Sequence, residues 1–239
     1  MNTATPTLHD IEFWYDPISP YAYLAFECLP QALMGLSVQV RYRPVLFAGL
    51  LKAHGQLGPA EIPGKRDWTY RQVLWLARQH GVVLDLPASH PFNPLPLLRL
   101  GLATATPEAP GETSRYVTEQ LFHHVWRGGH DASDPKRLSE LQALFQDHMA
   151  RRGQPWPDAD GPEVKASLRA NTEQAVAAGL FGVPTLVTGG KAFWGLDALP
   201  MLRDFLDGAE WFDSGAWQSA AAQAVGVQRP LKHQGPAGR

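Results

Sequence analysis

Thiols are nearly missing from this sequence. Cys28 is the one cysteine in 239 residues, which excludes an internal disulfide, a CxxC redox pair and any metal site built on a cysteine cluster. Any thiol chemistry must therefore bring its thiol from outside. Cys28 itself lies in an apolar helical pattern, where a buried structural cysteine is expected rather than a nucleophile. Net charge is slight as well: 21 lysines and arginines against 23 acidic residues leave a formal −2. The basic residues are scattered singly, so nothing forms an electrostatic footprint for nucleic acid or an anionic membrane. A small soluble molecule is the better partner. No apolar run approaches the roughly 20 residues of a spanning helix, and the opening MNTATPTLHD has no basic segment followed by an apolar core. The sequence predicts a cytoplasmic protein.

Motifs of several other chemistries are missing too. Gly58 and Gly64-Lys65 evoke a phosphate loop only faintly, because Arg66 stands where a hydroxyl residue is needed and prolines interrupt. His123 and His124 are adjacent and so diverge on a helix, and there is no HExxH pattern, so no metal is expected. Ser19 lacks the GxSxG setting of a hydrolase elbow.

What is present has a clear order. Ile11 to Tyr15 reads as a short strand, Ser19-Pro20 opens a helical stretch through Leu33, and Ser37 to Tyr42 alternates as a second strand. From about Phe47 to Gly179 helical signals dominate, among them Trp68 to His80, Leu95 to Thr104, Ser114 to Trp126 and a helix opened by Asp134-Pro135. Val183 to Val187 and Lys191 to Trp194 flank Gly189-Gly190 as a hairpin, and Asp197 is expected to start the last helix. The order β-α-β, helical block, β-β-α predicts an α/β, thioredoxin-like fold with a large all-helical insertion. Its thioredoxin-like domain is expected over 8–46 and 180–210, its insertion and connecting helix over 47–179. A C-terminal extension over 211–239 would end in a mobile tail beyond Leu231.

Three places could carry chemistry. Ser19 stands at a strand-to-helix turn, where unpaired N–H groups and the helix dipole favour an anion such as a thiolate; it can equally be a plain N-cap. Pro184, in Gly182-Val183-Pro184-Thr185, opens a strand although it cannot donate to the ladder. In a thioredoxin fold this bond is cis and leaves the backbone of Val183 free to pair with a peptide-like ligand; the alternative is an ordinary edge-strand proline. Asp197 follows Gly195-Leu196 at the junction of the last strand and helix, as cap, ligand group or both.

The run Phe13-Trp14-Tyr15-Asp16-Pro17-Ile18-Ser19-Pro20-Tyr21-Ala22-Tyr23-Leu24 resembles the N-terminal signature of 2-hydroxychromene-2-carboxylate isomerases and kappa-class glutathione transferases. Arg43-Pro44-Val45-Leu46, Pro63-Gly64-Lys65, His90-Pro91-Phe92-Asn93, Gly182-Val183-Pro184-Thr185 and Phe193-Trp194-Gly195-Leu196-Asp197 follow in that family's order. The resemblance implies a DsbA-like fold, glutathione as cofactor and a homodimer. It casts Ser19 as the catalytic residue that hydrogen-bonds the glutathione sulfur, with Val183 and Pro184 pairing its cysteinyl unit. Leu196 and Asp197 would hold the γ-glutamyl end, while Gln56 and Lys65 reach the carboxylates and amides. Gln56 stands where relatives commonly have Asn, Trp68 where they often have Tyr, and Gln72 and Leu74 where Asp and Arg are frequent. The implied activity is isomerisation of an aromatic chromene carboxylate through reversible thiolate addition. A transferase forming stable conjugates, and a noncatalytic binder of peptides or glutathione, are the alternatives.

Overall fold

A computed structural model describes residues 7–227, so the tail expected beyond Leu231 lies outside the described residues. The chain divides into two compact units, Met1–Arg203 and Asp204–Arg239.

The first unit is built on a four-stranded mixed sheet. Strand β1 (His9–Tyr15) pairs in parallel with β2 (Val38–Pro44), Phe13 lying opposite Tyr42. On its other side β1 pairs antiparallel with β3 (Thr185–Thr188), which carries β4 (Lys191–Trp194) as its hairpin partner, giving the order β2-β1-β3-β4. The parallel pair needs a crossover, and α1 (Pro20–Ala32) supplies it. Residues of β1 are buried on both faces, which is why its apolar run does not alternate cleanly with polar residues. Phe13 and Tyr15 face Phe26 of α1 and Phe122, with ring centroids 6.4 and 5.3 Å apart. Trp14 points the other way and packs with Val45, Leu50, Ala175 and Val183.

Between β2 and β3 the chain is helical: α2 (Phe47–Ala53), α3 (Pro63–His80), α4 (Leu95–Leu102), α5 (Arg115–Trp126), α6 (Pro135–Arg151) and α7 (Pro162–Ala177). Proline supplies the first residue of α3, α6 and α7, where its absent N–H is no loss. Ser114 Oγ accepts from Val117 N at 3.2 Å to cap α5, and Asp134 Oδ1 accepts from Arg137 N at 2.9 Å to cap α6. Leu98 and Leu102 of α4 bury against Val164 and Leu168 of α7, giving the insertion its own apolar cluster. The observed arrangement is the expected α/β, thioredoxin-like fold with helices inserted between its two strand pairs.

Two boundaries differ from the sequence reading. Helix α3 begins at Pro63, five residues before Trp68, so Lys65 sits in its first turn instead of in a loop. Asp197 does not start the last helix: a 3-10 turn over Leu196–Ala198 intervenes, and α8 runs Leu199–Leu206. No described helix is long and apolar enough to cross a membrane. The second unit, as far as it is described, holds a 3-10 turn (Glu210–Phe212) and α9 (Ala216–Ala221), where Trp211, Phe212 and Trp217 pack edge to face or tilted.

Candidate active site

The turn between β1 and α1 is held from several sides. Asp16 is fully buried; its Oδ1 accepts from Ile18 N at 3.0 Å and its Oδ2 from Phe47 N at 2.9 Å, which ties the turn to the start of α2. Burial pushes this carboxyl up to about 7 from an ordinary 3.8, although both backbone bonds act in the opposite direction. The carbonyl of Pro17 accepts from Trp126 Nε1 at 2.9 Å, and that of Ile18 meets His90 Nε2 at 2.8 Å. Both carbonyls are thereby engaged by the helical insertion. His90 Nε2 must carry the proton to donate to a carbonyl, which leaves Nδ1 an acceptor 2.9 Å from the Tyr70 hydroxyl, whose one proton is shared with the His90 carbonyl at 3.0 Å. Burial and the Arg66 charge hold this imidazole below its usual value against the opposing bond to Ile18, so it is neutral at pH 7.

Ser19 is the N-cap of α1, with its Oγ accepting from Ala22 N at 3.2 Å. The same hydroxyl donates to Val183 O over a long 3.3 Å. Its oxygen is therefore fixed while its hydrogen has only a weak partner, which suits it to turn toward an incoming sulfur anion. Tyr21 N–H, in the first helical turn, has no acceptor among the described residues. The turn thus serves as N-cap and as candidate anion site at once.

The Val183-Pro184 bond is cis. Pro184 O accepts from Gly195 N at 3.0 Å, joining this loop to the end of β4. Gly195 has φ +99°, and a Cβ there would run into Asp197 Oδ1, so only glycine lets the carboxylate fold back over the junction. Ser19, Gln56 and Lys65 line one cleft of about 1640 Å³, and so do Val183, Pro184, Leu196 and Asp197. All seven expected site residues therefore meet at one cavity. Among the described residues neither the Lys65 ammonium nor the Asp197 carboxylate has an ion-pair partner, so opposite charges are left for a ligand that carries both. Phe181 and Trp194, half-exposed rings 4.9 Å apart, border the cleft beside Gly182.

Residues outside the expected set also belong to this wall. Asp16 and His90 line the cleft, and Tyr21 donates to Gln72 Oε1 at 2.7 Å across it. Asp16 and Tyr21 stand within three residues of Ser19, and His90 opens one of the matching motifs, signals that could have drawn notice; Trp126 gives no sign, since it reaches the turn from a distant part of the insertion. Cys28 departs from the buried structural role expected of it, being half-buried and on the cleft wall. Burial and the Glu27 charge push its thiol up, away from thiolate reactivity.

Comparisons with known proteins bear on the fold and the family. A family model of the DSBA-like thioredoxin domain matches residues 10–207. Glutathione S-transferase kappa 1 of Rattus norvegicus is 28% identical over 216 residues, which cover 86% of this chain and 94% of the relative. A 2-hydroxychromene-2-carboxylate isomerase of Pseudomonas putida is 28% identical over 202 residues, covering 81% and 92% respectively. A solved structure of a 2-hydroxychromene-2-carboxylate isomerase has a TM-score of 0.65 with 22% identity, over 90% of this chain and 100% of its own, a likeness of fold.

Proposed function

The chain belongs to the DSBA-like thioredoxin domain family, and on that premise we propose that it is a glutathione-dependent isomerase of the 2-hydroxychromene-2-carboxylate isomerase type. The observation that carries the reading is the convergence of Ser19 Oγ, the Val183-Pro184 loop and the two unpaired charges of Lys65 and Asp197 on one cleft, in a chain with no second cysteine. A protein with that scaffold cannot run disulfide exchange by itself, whereas a thiol-bearing tripeptide supplies the sulfur, a peptide backbone for Val183 and charged ends for Lys65 and Asp197. Gln56 and Leu196 complete the glutathione contacts.

Ser19 acts as a stabiliser of the bound thiolate and not as the nucleophile. Its hydroxyl and the amino end of α1 lower the thiol pKa of glutathione, leaving the thiolate as the reacting species at neutral pH. Glutathione held there would supply a nucleophilic sulfur able to add reversibly to the end of a conjugated C=C–C=O system, the displaced electron pair passing to the carbonyl oxygen and back, so that the intervening bond could rotate and glutathione be recovered unchanged. The reaction is cytoplasmic, where reduced glutathione is maintained, and the chain works as a homodimer.

Calorimetric titration of glutathione tests this reading. Saturable binding is expected, weakened at least tenfold in Asp197→Ala through loss of a charged contact; no binding at millimolar glutathione would remove glutathione from the account and leave a peptide binder. Relatives of both names support a second reading, a transferase. Product analysis separates the two, because a conjugate that accumulates marks transfer and an isomerised substrate with glutathione recovered marks isomerisation.

A further inference from the structure

Beyond the sulfur position the cleft continues between α1 and α3. Lys65, Thr69, Gln72, Leu76 and His80 recur along α3 at spacings of three and four and all line it, so one face of this helix forms a continuous wall. Lys65 stands at the end near the glutathione contacts. Gln72 is half-buried midway along, opposite the first turn of α1.

Gln72 is held in one orientation. Tyr21 donates its only hydroxyl proton to Gln72 Oε1 at 2.7 Å. Burial, followed by the Asp197 charge, raises the Tyr21 hydroxyl above its ordinary value against the opposing influence of nearby Thr69, so it stays a donor throughout the physiological range. With Oε1 occupied, the other end of the amide carries two N–H donors, and neither has an acceptor among the described residues. A half-buried, oriented and unspent donor pair, held by a tyrosine two residues from Ser19, is a place for an oxygen of the acceptor.

We propose that Gln72, oriented by Tyr21, is a specificity-determining residue whose amide N–H groups take a carboxylate or carbonyl oxygen of an aryl-conjugated acid bound beside the glutathione sulfur. The inference rests on the glutathione reading and assigns to Gln72 the recognition of the acceptor's oxygen. A carbonyl oxygen held by the two N–H groups of Gln72 would be stabilised as it takes up negative charge, and Gln72 gives up no proton. Relatives frequently have Asp here together with Arg two residues on; with Leu74 in place of that Arg, a carboxylate at position 72 would face the substrate's negative charge without a partner, which favours a neutral donor.

The test is calorimetry of trans-cinnamate, an aryl-conjugated carboxylate, against protein saturated with glutathione, in wild type, Gln72→Met, Gln72→Glu and Tyr21→Phe, with glutathione affinity measured on each. The expected result is roughly tenfold weaker cinnamate binding in Gln72→Met, at least a further tenfold loss in Gln72→Glu, and an intermediate loss in Tyr21→Phe, where the amide is released but present. Glutathione affinity should stay within about twofold in Gln72→Met, which retains the volume of the side chain. Cinnamate that fails to bind the glutathione-loaded wild type, or binds wild type and Gln72→Met alike, overturns the proposal while leaving glutathione binding in place. Absence of glutathione binding in wild type overturns the reading beneath it as well.

Discussion

Ser19 divides its two hydrogen-bonding capacities between a helix cap and a long bond to the loop before β3. The oxygen caps α1 through Ala22 N, and the hydrogen rests on Val183 O at 3.3 Å. Ser19→Ala should raise the pKa of bound glutathione by about one to two units, the worth of a hydrogen bond to a charged group, and ultraviolet absorbance of the thiolate across a pH titration reads this directly. An unshifted titration would leave Ser19 as a cap alone. Asp16 makes a separate prediction. Its native pKa of about 7 lies above the ordinary 3.8, so the native state holds its proton more tightly than the unfolded chain. The stability this gives is fully present below about pH 4 and is lost as pH rises through about 7. Unfolding free energies of Asp16→Asn and wild type should therefore shift in favour of the variant by up to about 4 kcal/mol between those limits. A difference that stays constant with pH would show that Asp16 ionises freely.

Among the elements, those at the ends of the chain were legible because turn chemistry marks them. Ser19-Pro20 announces α1, and Gly189-Gly190 announces the β3–β4 hairpin, which the structure forms with Thr185 opposite Trp194. The start of α3 was missed because Pro63-Gly64 resembles a loop, although proline at the first helical position is a start signal in its own right. The place of Asp197 was missed for a different reason: an acidic residue after a glycine fits an N-cap and a 3-10 turn equally well, and only the φ of Gly195 separates them. The seven expected site residues could be found by resemblance to an ordered set of short motifs, but the grip of His90 and Trp126 on Ile18 and Pro17 could not, because it is made across 72 and 109 residues of sequence. Gly195→Ala tests the β4–α8 junction. It combines a positive φ with a methyl group directed at Asp197, so about 1–3 kcal/mol of strain is expected, with a lowered Tm and weaker glutathione binding. A variant with wild-type Tm and affinity would mean that the turn relaxes without moving the carboxylate.

At the scale of the whole molecule, the single half-buried cysteine sets the redox behaviour. The Tm should be the same with and without dithiothreitol, and insulin reduction should proceed no faster with the protein than without it; a difference in either would point to a covalent use of Cys28. The same arrangement decides what oxidants can damage. An enzyme whose catalytic sulfur is part of its own chain is lost when that sulfur is over-oxidised. On the proposed glutathione reading the vulnerable atom belongs to a diffusible molecule, Ser19 has no comparable oxidation chemistry, and the raised pKa of Cys28 keeps it mostly in the less reactive thiol form. Protein exposed to peroxide, then desalted and given fresh glutathione, should recover its full turnover, so that the durable part of the catalyst is the fold and the perishable part is exchanged with every dissociation.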